Sequence, residues 1–194
     1  MVYTEVGWAS DETHPLSQAN MKTLDSGVLS AHRGWRPVTE PGGELITADT
    51  TFSIGSGEYE IVRVHLRGTL NGLGRIALRV NADVTADLHR TADTVFRMSD
   101  GAVVSNNTGN ATTWGIARWS DNMNVAQATI YNTNSNSNLA MEGSGFRSGS
   151  ASADRERTIS GGDLADLRLL SSLRVLSTIA TLASVRVWID GLRT

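Results

Sequence analysis

The chain has 194 residues, 40% apolar and 19% charged, with a net charge of −3 and no cysteine. That length supports one domain with a full core. The charge gives no basic field for nucleic acid, and the lack of cysteine excludes disulfides, thiolate metal sites and a cysteine nucleophile.

Residues 1–16 lack the basic start and apolar core of a signal peptide and carry Trp8 in an irregular arm. A helix is expected from an N-cap at Ser17 to about Ala31. Met21, Leu24, Val28 and Ala31 follow at steps of three, four and three, the spacing of a coiled-coil seam. That stripe either packs on its own domain or brings three copies together around an axis. Gly34 ends the helix, and Gly34–Gly43, with two of the three prolines, reads as a linker. The expected organisation is therefore an arm, helix and linker over 1–43 and a β-sandwich over 44–194.

Glu44–Ile54 carries one or two short strands, with Phe52 and Ile54 apolar. The strongest pattern follows. Val62, Val64 and Leu66 alternate with Arg63, His65 and Arg67; beyond Asn71-Gly72, Ile76, Leu78 and Val80 alternate with Arg75, Ala77 and Arg79. Period two on both sides of Asn-Gly predicts an antiparallel hairpin, apolar on one face and arginine-bearing on the other. Thr94–Met98 reads as a short strand, Asp100-Gly101 as a turn and Ser105–Asn110 as a loop. Thr112–Trp119 and Val125–Tyr131 read as strands joined by Ser120–Asn124. Asn132–Asn138 is a polar loop and Leu139–Met141 a short strand. Gly143–Gly162, rich in Gly, Ser and charge, reads as mobile. Leu167–Leu169, Leu173–Leu176 and Ser184–Ile189 return to strand, with Trp188 opposite in parity to Val187 and Ile189. Many short strands and one outlying helix predict an all-β fold, a sandwich or jelly roll. The least polar run, Val175–Val185, has 11 residues, short of the roughly 20 that span a bilayer, so no membrane insertion is expected.

Few residues suggest chemistry. Gly72–Ala77 matches G-x-G-x-x-A, but the period-two pattern that follows predicts a strand where a dinucleotide needs a helix. His14, His32, His65 and His89 are far apart in sequence, and His65 falls on the wet face of its strand. Asp83 and Asp87 flank a turn and offer either calcium ligands or plain turn chemistry. No catalytic residue and no cofactor are expected; a carbohydrate-active enzyme is the outlying alternative. Trp114 shares parity with Ile116 and is expected in the core. Trp119, of opposite parity, is expected at the surface, where with Asn122, Asn124 and Tyr131 it offers sugar stacking and amide hydrogen bonds.

THPLSQANMKTLDSGVLSAH resembles the N-terminal segment of tailed-phage fibre and baseplate-associated proteins, although His14 precedes Pro15 and Asn20-Met21 stands where Leu-Asn is usual. LRVNADVTADLHR resembles the L-R-F-N-G-D…Y strand and turn of phage jelly-roll tail and fibre proteins. Leu78, Arg79, Asn81 and Asp83 match, with Val80 for Phe, Ala82 for Gly and Leu88 for the aromatic. ATIYNTNSNSNLAMEGSG and SVRVWIDGLR are similar to that family's later and closing strands. The resemblance runs in order over roughly residues 12–192. It implies a non-enzymatic virion protein on the particle exterior, made in the host cytoplasm, with a jelly roll on a short helical stem. It further implies a homotrimer, which would meet at Met21, Leu24 and Val28. The irregular arm is expected either to dock on another virion protein, with Trp8 as anchor, or to fold back on its own trimer, with Trp8 in the core. As a tail-fibre or tail-tip component the jelly roll faces a host-surface glycan; a capsid decoration protein or head fibre is the alternative.

Overall fold

The computed structural model describes residues 34–84, 88–98, 100–148 and 155–193. The chain divides after Gly34, and residues 35–194 form one compact unit. The expected helix, with Met21, Leu24 and Val28, and the Trp8 arm lie outside the described residues.

Every regular element among the described residues is a β-strand: β1 (Gly34–Pro37), β2 (Glu44–Ile46), β3 (Thr50–Ser53), β4 (Ile61–Leu70), β5 (Gly74–Val80), β6 (His89–Arg97), β7 (Val103–Ala111), β8 (Trp114–Trp119), β9 (Asn124–Tyr131), β10 (Ser137–Arg147), β11 (Glu156–Arg168), β12 (Ser172–Thr178) and β13 (Leu182–Arg193). They form two sheets. The larger runs β1–β13–β4–β9–β10–β11–β6–β7, with β2 also on β13; the smaller runs β3–β12–β5–β8. Alternation leaves most strands one apolar face, and these faces meet in a single core. Val62, Val64 and Leu66 of β4 lie there with Ile76, Leu78 and Val80 of β5, Trp114 and Ile116 of β8, and Val185, Val187 and Ile189 of β13. Burying each such side chain contributes roughly 1.5–3 kcal/mol.

The strands on either side of Asn71-Gly72 form as expected, but they are not a hairpin. The neighbours of β4 are β13 and β9, and those of β5 are β12 and β8. Residues 71–73 thus carry the chain from one sheet to the other. Period two fixes which face is apolar and says nothing of the neighbour. The Asn71 N–H donates to the Thr181 carbonyl, and its side-chain amide to Thr181 Oγ1, both at 2.9 Å. These bonds tie the corner to the β12–β13 connection. Beyond β5, Asn81 takes φ 53°, a left-handed conformation that asparagine tolerates. Its Oδ1 accepts from the Ser171 and Ser172 N–H groups and its Nδ2 donates to the Leu169 carbonyl, pinning the β11–β12 turn.

Three further expectations are corrected. The linker Gly34–Gly43 is part of the large sheet: β1 lies along β13, the Val38 N–H donates to Ile189 O at 2.7 Å, and the Ile189 N–H donates to the buried Thr39 Oγ1 at 3.0 Å. Ser105–Asn110 is not a loop but lies within β7, paired with β6. Most of Gly143–Gly162 is strand, with β10 and β11 paired from Met141↔Gly162 to Arg147↔Glu156. The small residues there serve close packing. A Cβ on Gly145 would sit 2.4 Å from the Ala117 Cβ of β8. Ser160 Oγ donates to the Ile116 carbonyl at 3.1 Å, and Thr158 Oγ1 accepts the Arg118 N–H at 3.5 Å. Side chains of β11 thereby satisfy the backbone of β8, the edge of the small sheet.

The inner face of β6 and β11 is polar. Asp93 pairs with Arg75 of β5. The buried Glu156 carboxylate lies 3.3 Å from Arg147 and 3.9 Å from both Arg97 and Arg118. His89 is fully buried, accepts the Val80 N–H at Nε2 at 3.2 Å and packs edge-on against Trp114. Burial, helped by the nearby Arg79 charge, lowers its pKa from 6.5 to about 4. The neutral ring is thus the folded form, and stability is fully present above pH 6.5. As pH falls from 6.5 toward 4 the unfolded chain takes up a proton the folded one refuses, so stability drops, by roughly 2–3 kcal/mol over that window. Urea unfolding at pH 7.0, 5.5 and 4.5 checks this. His89→Gln, which keeps an acceptor, is expected to flatten the slope; an unchanged slope would assign it to other groups.

Candidate functional site

The outer face of the large sheet carries the side chains left over when the core is filled. Pairing places them in rows. Trp188 (β13), His65 (β4), Gln127 (β9), Ser144 (β10) and Ile159 (β11) are in register in one row. Arg67, Val125, Phe146 and Arg157 form the next, and Arg63, Thr129 and Glu142 lie on the other side of the first.

These rows line an open trough of about 460 Å³, bounded by Trp188, His65, Arg67, Val125, Gln127, Ser144, Phe146 and Arg157. A second hollow of about 370 Å³ shares His65 and Gln127 and continues to Trp35, Arg63, Thr129, Tyr131 and Glu142. Both fall in the range of small-ligand sites. Trp188 is held from behind: a Cβ on Gly43 would sit 2.6 Å from its Nε1 and Cε2, and Gly43 has φ 71°. At the other end the Arg63 guanidinium stacks 3.8 Å above the Trp35 ring. Tyr131 donates to Glu142 at 2.5 Å, and that bond pushes the phenol pKa above its ordinary value. The arrangement offers flat aromatic surfaces, amide and hydroxyl hydrogen bonds, and guanidinium groups, all from strands rather than loops. Among the described residues it holds no hydrogen-bonded nucleophile–base pair. No group of three or more His, Asp or Glu able to hold a metal occurs among the described residues.

Of the expected sugar contacts, only Tyr131 lines this face. Trp119 is fully buried. The reason is a bulge in β8: Ala117 pairs with Ile76 and Gly115 with Ala77, leaving Ile116 as an extra residue. The extra residue reverses parity, so Trp119 points to the same core face as Trp114. Asn124 is buried and its amide donates to the Ser120 and Gly68 carbonyls, bracing the β8–β9 crossing. Asn122 belongs to the turn capped by Ser120 Oγ. Asp83 pairs with the Arg168 guanidinium, which supplies its counter-charge without a metal ion; Asp87 lies outside the described residues. Sequence reading missed the trough, although its local signal was present in Trp188 on the wet parity of β13 and Arg63, His65 and Arg67 on that of β4. Strand order was needed to bring the two sets together.

No family model and no curated protein matches the chain. Among solved structures it is similar to a chain of the T13 IBDV viral particle at 14% identity and a TM-score of 0.11. The match covers 84% of this chain and 38% of that one, so the chain spans under two-fifths of that protein's length. At that TM-score the likeness bears on neither fold nor function.

Proposed function

We propose that the chain is a non-enzymatic structural protein of a tailed-phage virion, in a tail-fibre or tail-tip position, that presents the outer face of its large sheet to saccharides on the host surface. The observation that carries this reading is the open aromatic and arginine-lined trough. Stacking surfaces beside planar hydrogen-bonding groups suit a sugar ring, whose one face is apolar and whose edge is hydroxylated.

Two features support the setting. The orders β2–β13–β4–β9 and β3–β12–β5–β8 are those of a jelly roll, an architecture of viral capsid and lectin domains. In this reading β10–β11 and β6–β7 are insertions that widen one sheet and the trough with it. The sequence resemblance over residues 12–192 points the same way. Residues 1–43 then supply the anchor at Trp8 and the trimer seam at Met21, Leu24 and Val28. Mass in solution checks the seam, and a trimer is the expected result.

A glycan array probed with the full chain tests the function. Binding to a defined saccharide, lost in Trp188→Ala, is expected; failure to bind any saccharide overturns it. Labelling in an intact particle is expected at the tail, and a position on the shell would replace the tail assignment with capsid decoration.

A further inference from the structure

We propose that the trough takes an acidic saccharide, with Arg67 and Arg157 each meeting a carboxylate of the sugar chain. This rests on the saccharide-binding function proposed above and names the class of sugar. In a chain of net charge −3, the trough is lined by two arginines and, among the described residues, by no acidic one. Both arginines are exposed, and neither forms an ion pair among the described residues. Of the acids in the neighbouring row, Glu142 is engaged by the Tyr131 hydroxyl, and Asp190 stands in register with Arg63.

The spacing adds to the charge argument. Arg67 and Arg157 occupy one row, separated by Val125 and Phe146 on β9 and β10. Three strand spacings put their Cα atoms about 14 Å apart. A guanidinium offers a planar fork that matches a carboxylate with two hydrogen bonds. Between the two forks, Phe146 and Val125 form an apolar floor on which pyranose rings can lie. In the adjoining row Trp188 gives a further stacking surface, and Gln127 and Ser144 face the hydroxyls. A peptide strand has less to gain here, because the trough lies on the face of a sheet whose strands are already paired and offers no free backbone for β-addition.

The test uses the full chain and hexasaccharides of galacturonate, mannuronate and α-2,8-linked sialate, each beside its carboxyl-reduced form, with polyglutamate as a separate probe. At least one acid is expected to bind at least about tenfold tighter than its reduced form, and binding is expected to weaken with added salt. Arg67→Ala and Arg157→Ala are each expected to lose about tenfold in affinity with an unchanged unfolding midpoint, since both side chains are in solvent. If a reduced form binds as tightly as its acid, the acidic class is wrong while saccharide binding stands. If neither acids nor neutral forms bind, both readings fall. Acid binding that survives both arginine substitutions places the site elsewhere and overturns the inference, as does equal binding of polyglutamate.

Discussion

Trp119→Ala is expected to destabilise the sandwich by about 3–5 kcal/mol, the usual cost of removing a buried tryptophan, and to act on ligand binding only through that loss. Trp119 is fully buried and sits opposite Gly74 at the end of the β5–β8 pairing. Removing it opens a cavity where the chain turns between sheets at residues 71–73 and 120–123. Trp188 is the contrasting case. It lies on the outer face, half-buried, with its ring backed by Gly43. Trp188→Ala should cost far less stability and abolish saccharide binding. Urea midpoints and binding measured on both variants separate the two tryptophans. A Trp119→Ala protein of wild-type stability that no longer binds sugar would restore the surface role for Trp119 and remove the bulge argument.

Asp93→Ala should cost a similar amount, about 3–5 kcal/mol, because it strips a partly buried guanidinium of its counter-charge. Asp93 is buried on the inner face of β6, and Arg75 reaches it from β5 across the top of Gly115, where a Cβ would sit 2.6 Å from the Arg75 Cδ. The pair joins the small sheet to the outlying strands of the large one. Burial and the neighbouring Arg118 charge already lower the Arg75 pKa, so losing the aspartate leaves a cation in an unfavourable place. The double variant Arg75→Met, Asp93→Leu is expected to recover much of the loss, since an apolar pair avoids the desolvation of both ions. A double-mutant cycle read by urea unfolding measures this. Asp93→Ala melting with the wild type would show that the cross-sheet pair contributes nothing.

Much of the fold was legible because β alternation is local. Val62, Val64 and Leu66 declare the inner face of β4 through their own covalent order. The same holds for Ile76, Leu78 and Val80 of β5 and for Val185, Val187 and Ile189 of β13, and all nine are buried. Composition misled where one residue type serves two purposes. Gly143, Gly145 and Ser160 looked like loop chemistry, yet they let β10 and β11 approach β8 and satisfy its edge. Asn124, read as a possible sugar contact, spends its amide on buried carbonyls.

The sequence by itself determined the all-β class and the inward or outward sense of most strands. It also placed Trp114 in the core and the wet arginines of β4 at the surface. Each of these follows from the two-residue period of an extended chain, which needs no knowledge of the neighbours. Only the tertiary structure decided which strands pair, that the turn after β4 crosses the core, and that one extra residue at Ile116 returns Trp119 to the interior. It alone assembled the trough, whose lining comes from five strands spread between residues 65 and 188. Pairing and register are set by how distant strands close around one core, and that choice is made by the whole chain at once.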